Sequence, residues 1–334
     1  MTFIKALSRK LILSLFLSAS LLNINYVSAE TITVGYFLEW PTPNQYAQAK
    51  KIYDKKLGVD LKWVSFDSGT AMSAAMASGD VQISFSQGIP PFVVATSAGQ
   101  DIQIVDVAVS YSDNENCVVR DSLEIDKTNA KDLEGKKAAV PIGTAAHYGF
   151  LKQMQHFGVK TSTMKIVDMT PDASAAAFAN GSLDIVCGWG GALKRMKEHG
   201  NILLSGAEKE QLGIQVFDAT TVNSQWAQEH PELLAKFLKV TADMNKQFAA
   251  NPKEMLPVIA KAAGMKVETV KETMRTFKFP NIEEQLSSEW LGGGTQTFLK
   301  AVGNFFVQQG TLPKALNHYN DAVDKRYLEA AQKL

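Results

Sequence analysis

Cysteine is scarce in this 334-residue chain: only Cys117 and Cys187 occur, too few to staple a disulfide scaffold. The pair is even in number, so a disulfide and two buried thiols both remain open. The five histidines (His147, His156, His199, His230, His318) are scattered with no His-x-x-x-His spacing, so no metal site is expected. Neither sign of charge is in excess, since 34 Lys and Arg balance 34 Asp and Glu. That balance excludes the basic surplus typical of a nucleic-acid partner. No Ser/His/Asp or Cys/His set has the spacing of a nucleophilic motif. No cofactor is implied and no catalytic residue is expected. Long apolar runs are missing as well, and no stretch approaches the roughly 18 apolar residues of a membrane span.

What is present begins with a different kind of segment. Lys5, Arg9 and Lys10 precede a serine-containing apolar run over 11–22, and Val27-Ser28-Ala29 supplies small residues ahead of Glu30. This is the pattern of a signal peptide over 1–29, cleaved before Glu30. No cysteine follows the run to carry a lipid anchor. The mature protein is expected outside the cytoplasm, in the periplasm, as a monomer. Its length favours two domains, and a hydrophobic content of 46% suffices for packed cores.

Hydrophobic periodicity then reads as alternating strands and helices. Strands are predicted over 31–37, 61–66, 81–85 and 102–109, with helices over 44–57, 70–77 and 90–98. Gly58, Gly79 and Gly99 follow those helices, where a left-handed cap is needed. The same order returns a hundred residues later: strands over 137–141, 165–169, 183–189 and 201–204, helices over 147–157, 172–179 and 191–199. Short apolar strands alternating with helices imply βαβ units and parallel sheets. From about Gln225 the pattern is mostly helical. The fold class is therefore α/β, two lobes with a cleft between them. The polar stretches 110–117 and 220–224 read as connections. The first lobe is expected over 30–112 plus 225–334 and the second over 113–224.

Ligands of open α/β sheets bind beyond the carboxyl ends of the strands. Those ends carry Leu38-Glu39-Trp40-Pro41, Asp67-Ser68-Gly69-Thr70, Ser86-Gln87-Gly88, Gly143-Thr144-Ala145-Ala146-His147 and Trp189-Gly190-Gly191, and a strand over 215–218 ends at Asp218. Small-residue turns that open helices present unpaired N–H groups and a positive dipole end, so Thr144, Ala145 and Ala146, Ser68 and Gln87-Gly88 suit an anion. Glu39 and Asp218 suit a cation, with Trp40, Trp189 and Tyr111 offering aromatic faces. Phe37 and Phe66 read as core. Groups of both kinds in one cleft fit a short zwitterion.

The chain resembles the taurine-binding receptors of the nitrate/sulfonate/taurine family of ABC importers. The resemblance is carried by Phe66-Asp67-Ser68-Gly69, Ala77 to Ile83, Asp132-Leu133-Glu134-Gly135-Lys136-Lys137, Ala139-Val140-Pro141, Thr144 to Tyr148, Asp184, Trp189, Asp218 and His230-Pro231-Glu232. It implies a type II periplasmic-binding fold that closes on taurine or a similar small sulfonate. Partners would be a permease in the inner membrane and its ATPase. It further implies that Thr144, Ala146 and His147 lie at the acid group, that Asp218 holds the ammonium, and that Gln87 and Trp189 wall the cavity. Gly190-Gly191, Glu39-Trp40-Pro41 and the run Asp113 to Asn116 depart from the family pattern. An amine-free aliphatic sulfonate or a betaine-like ligand stands as an alternative, as do a sensor partner and a pyrimidine-synthase-like enzyme.

Overall fold

Runs rich in Val and Ile, bounded by glycine and polar turns, form ten strands in a computed structural model that describes residues 31–334 apart from 112 and 215. The expected signal peptide lies outside the described residues. The chain opens with β1 (Ile32–Tyr36), β2 (Leu61–Ser65), β3 (Ile83–Gly88) and β4 (Ile102–Ser110), interleaved with α1 (Pro43–Ala49), α2 (Ile52–Leu57), α3 (Gly69–Ala77) and α4 (Ile89–Ser97). Next come β5 (Glu115–Arg120), β6 (Lys137–Val140), β7 (Lys165–Asp168), β8 (Ile185–Trp189) and β9 (Gly200–Ile202), with α5 (Ala145–Phe157), α6 (Pro171–Ala179) and α7 (Gly190–Met196). After α8 (Gly206–Gln211), β10 (Phe217–Asn223) leads into α9 (Ser224–Glu229), α10 (Pro231–Ala250), α11 (Pro252–Ala263), α12 (Val267–Met274), α13 (Ile282–Leu286), α14 (Gly294–Gln308) and α15 (Arg326–Gln332).

The strands build two five-stranded sheets, ordered β2-β1-β3-β10-β4 and β7-β6-β8-β5-β9. Each has a parallel trio, β2-β1-β3 or β7-β6-β8. Each is then extended by one antiparallel strand that arrives from the other lobe's side of the chain: β10 between β3 and β4, and β5 between β8 and β9. The repeat read from the sequence is thus a repeat of topology.

One of the two predicted connections is a strand. The stretch 110–117, expected as an extended crossover, runs from the end of β4 into β5 and so joins the two sheets, whereas 220–224 is the second half of β10 rather than a link. The lobe boundary at 224 is corrected accordingly, because β10 is hydrogen-bonded within the first sheet and carries Asp218 into the first lobe. The polar residues of β10 misled the periodicity. Asp218, Thr220 and Thr221 are buried, but each has a hydrogen-bond partner, so burial is tolerated. The predicted helix over 44–57 is two helices, broken at Lys51 with φ of 52°.

The first core packs Ile32, Val34, Ile83 and Phe85 of the sheet with Tyr53, Phe92 and Phe237. The twenty-residue α10, opened by Pro231 at its first turn, covers it. A smaller core under the second sheet joins Val118, Ala139 and Val186 to Phe178, Leu193 and Met196. Cys117 and Cys187 sit opposite each other in β5 and β8 and form a disulfide. Among the described residues no helix is long and apolar enough to cross a membrane.

Candidate functional site

The carboxyl ends of both parallel trios converge on one narrow cavity between the sheets, of about 20 Å³. Phe37, Trp40, Gly69, Gly88, Pro91, Tyr111 and Asp218 line it from the first lobe, and Glu115, Thr144, Ala145 and Trp189 from the second. The walls nearly meet, since a Cβ built on Gly88 would lie 3.6 Å from that of Ala145. Aromatic rings form most of the apolar surface. Trp40 stands edge-on to Tyr111 at 4.7 Å, and Phe37 lies 5.9 Å from Trp189.

Asp218 is the buried acidic centre of the first lobe. Tyr111 donates to its Oδ1 at 2.6 Å and Ser86 to its Oδ2 at 2.8 Å, while Trp40 Nε1 donates to Ser86 Oγ at 3.0 Å. Ser86 takes up a φ of 65° to do this, a strained choice for a residue with a Cβ and one that clusters at functional sites. Burial outweighs those two hydrogen bonds and pushes the Asp218 carboxyl up to about 8, with the negative charge of Glu115 adding to the effect. The Tyr111 hydroxyl is pushed up in turn by burial and by Asp218.

Opposite this acid lies the start of α5. The Thr144 side chain caps it, accepting from the His147 N–H at 3.3 Å and donating to the Pro141 carbonyl at 2.6 Å. The N–H groups of Ala145 and Ala146 have no partner among the described residues, and neither have those of Gly69 and Thr70 at the start of α3. Helix α4 contributes little, because Pro90 and Pro91 remove its next two donors.

Seven of the twelve nominated residues line the cavity: Trp40, Gly88, Tyr111, Thr144, Ala145, Trp189 and Asp218. The other five lie around it. Ser68 caps α3 by accepting from the Ala71 N–H at 3.2 Å. Gln87 is a clamp behind the wall, donating to the Gly69 carbonyl and Ser73 and accepting from Thr221. His147 accepts from the Gly143 N–H through Nδ1 and stacks on Phe306 of α14. Burial holds its imidazole down to about 4, so it is neutral at neutral pH. Ala146 is buried on the same turn. Glu39 leaves the cavity for its rim, where Arg195 of the second lobe donates to its Oε2 at 3.0 Å. A basic residue within reach across the interface drew it there, and only tertiary structure reveals that neighbour. Phe37, read as core, lines the cavity instead, since its ring turns toward Trp189. Gly69 lines the cavity within the Ser68-Gly69-Thr70 turn, whereas Pro91 and Glu115 were not nominated. Glu115 belonged to the acidic run at the crossover, and its unusual composition was the one available signal.

The rim also explains Gly190-Gly191. A Cβ on Gly190, at φ of 56°, would come within 2.7 Å of the Glu39 carbonyl oxygen, and one on Gly191 within 2.1 Å of Glu39 Oε2. The glycine pair is the seat that lets Glu39 approach. Among the described residues no cluster of His, Cys, Asp and Glu has the geometry to hold a metal ion.

Comparison with known proteins bears on the family and the fold. A family model described as NMT1/THI5 like matches residues 42–255. The taurine-binding periplasmic protein of Escherichia coli (strain K12) is 28% identical over 307 residues, covering 90% of this chain and 93% of that protein. Among solved structures, the alkanesulfonate-binding protein of Xanthomonas axonopodis pv. citri, bound to MOPS, superposes with a TM-score of 0.71 at 18% identity, covering 85% of this chain and 94% of that one. The desulfurization enzyme DSZB also shares the fold, with a TM-score of 0.65 at 13% identity over 91% of this chain and 99% of that one.

Proposed function

We propose that this chain, which belongs to the NMT1/THI5-like family, is a periplasmic solute-binding protein of an ABC importer that captures taurine or a similar small zwitterionic sulfonate. One observation carries the reading: Gly69 and Ala145, at two helix starts with unpaired amides, and the buried Asp218 line a single cavity. The Ala145 and Ala146 amides of α5, joined by those of Gly69 and Thr70, suit a sulfonate, which accepts several hydrogen bonds and gains from the helix dipole. Asp218 suits the ammonium end. An amine-free sulfonate would leave Asp218 protonated and unused, whereas an ammonium would ionise it and gain a charge-assisted hydrogen bond. The similarity to the taurine-binding protein over nine-tenths of the chain supports the same choice.

The ligand would touch both lobes, with the start of α5 on one side and Asp218 on the other. Only such differential contact biases a hinge toward closure. Delivery to a permease and its ATPase follows from the receptor role. Binding without turnover is the reading the side chains favour, because His147 is neutral, tied to Gly143 and turned away from the cavity.

Isothermal titration of the purified mature protein with taurine, ethanesulfonate and glycine betaine tests this. Taurine is expected to bind tightly, with a smaller radius of gyration on binding. Tighter binding of ethanesulfonate than taurine, or hydrolysis of any ligand, would refute it.

A further inference from the structure

Glu115 is the first residue of β5 and lies in register with Trp189 of β8, another cavity residue. Its side chain lines the cavity and is 2% exposed. Its Oε2 is buried with no hydrogen-bond partner among the described residues. A buried carboxylate oxygen left without a donor is costly, so its survival needs a reason. The nearest explanation within the fold is Lys209, which is itself buried. Lys209 Nζ, however, donates to the main-chain oxygen of Glu115, and no ion pair joins it to the carboxylate. The lysine thus anchors the strand from behind and leaves the carboxylate facing the cavity.

Electrostatics ties this group to the acid on the opposite wall. The charge of Glu115 acts on both Asp218 and Tyr111, so the two carboxylates share one low-dielectric space. Among the described residues no Lys, Arg or His side chain lines that space, and the charge of Lys209 reaches only Glu115, from behind the strand. A cation bound in the cavity would therefore be the group that ionises the pair together.

We propose that Glu115 is a second ligand-binding carboxylate that brackets, with Asp218, the cationic end of the ligand. It selects a nitrogen carrying two or more N–H donors, a primary ammonium or a guanidinium, over a quaternary ammonium. Trp40, Tyr111 and Trp189 would welcome either cation by their ring faces. Only a nitrogen with several N–H groups can donate to both carboxylates, and each charge-assisted bond contributes about tenfold or more in affinity. Methylation removes those donors and leaves Oε2 unpaired again.

This inference rests on the zwitterion reading for the anionic end alone, and the test keeps the two apart. The full mature chain and its Glu115→Gln variant are titrated with taurine, N-methyltaurine, N,N-dimethyltaurine, N,N,N-trimethyltaurine and 2-guanidinoethanesulfonate. The wild type is expected to lose about tenfold or more between the primary and the quaternary amine. Glu115→Gln should lose about 10- to 100-fold for taurine and the guanidinium compound, and under about threefold for the trimethyl form, so that selectivity collapses. Equal loss for all ligands, or no loss for taurine, overturns the role. If Glu115→Gln fails to fold, Glu115→Asp is used, with an intermediate loss for taurine and little change for the trimethyl compound expected. If the wild type binds none of the sulfonates, the zwitterion reading falls. Thermal shifts with ethylammonium and tetramethylammonium chloride then decide the role of Glu115. Stabilisation by ethylammonium alone that disappears in Glu115→Gln upholds it, and no difference between the proteins overturns it.

Discussion

Asp218 and Glu39 are both carboxylates of the first lobe that face the second, one at the floor of the cleft and the other at its rim. Asp218 is 2% exposed and held by two neutral hydroxyl donors. Glu39 has 36% of its side chain exposed and meets Arg195, itself 46% exposed. A neutral donor cannot cancel a buried charge, whereas a guanidinium can. The floor therefore keeps its acid protonated until a cation arrives, and the rim has its cation from within the protein. One position suits capture and the other suits closure.

The sharpest way to break this comparison is to remove the floor. Asp218→Ala is expected to weaken taurine by about 100-fold, the scale of a charge-assisted hydrogen bond lost in a dry site. Ethanesulfonate, which lacks the amine, should change by less than about threefold. Titration calorimetry of both ligands checks this, and equal losses would move Asp218 out of the cation site.

Proton linkage sharpens the same contrast. With the Asp218 carboxyl raised to about 8, the unliganded protein holds a proton there at neutral pH. An ammonium favours the ionised forms of Asp218 and of Glu115, which burial raises to about 7, so binding at pH 7 should release more than one proton, and affinity should rise with pH from 6 to 8 before levelling. Calorimetry in buffers of different ionisation heat counts the protons. The sign for stability is the reverse: the group's folded pKa is raised, so its contribution is present below about pH 4 and is lost as pH climbs through about 8. Thermal unfolding without ligand should show that decline, and Asp218→Asn should flatten it.

Sequence patterns carried the architecture further than they carried the site. The parallel trios were legible because β1, β3, β6 and β8 are short apolar runs followed by helices, a local signal. The strand β5 and all but the start of β10 were not, because Asn116, Thr220 and Thr221 are polar residues whose burial depends on partners far along the chain, such as Gln153 for Asn116 and Asp106 for Thr220. The same limit governs the site. Thr144 and Ala145 were legible as a small-residue helix start, and Trp40 and Trp189 as strand-end residues, whereas Asp218, read as the last residue of a strand, is the second residue of β10. Whether a carboxylate faces a cavity or an arginine is decided by the other lobe, which explains why Glu39 was nominated and Glu115 passed over.

The rim yields a smaller effect through its backbone. Gly190→Ala sets a Cβ against the Glu39 carbonyl only when the lobes meet, at a separation of 2.7 Å. Overpacking of this kind costs on the order of 1–3 kcal/mol, so taurine affinity should fall by about tenfold and ligand-induced compaction in small-angle scattering should shrink. A left-handed φ also strains alanine by roughly 1–2 kcal/mol, with or without ligand. Subtracting the unliganded change in thermal stability isolates the part that belongs to closure.

The smallest effect belongs to the rim ion pair itself. Glu39→Gln removes the partner of Arg195 while keeping the side chain's shape, and Arg195 retains Asp172 as a neighbour. Pairs this exposed contribute under about 1 kcal/mol and are screened by salt. Taurine affinity should therefore drop by no more than about fivefold at low ionic strength, with the difference from wild type vanishing near 0.5 M salt, where the Debye length is only about 4 Å. A loss as large as that of Asp218→Ala, insensitive to salt, would mean that Glu39 reaches the ligand directly and that floor and rim are one site.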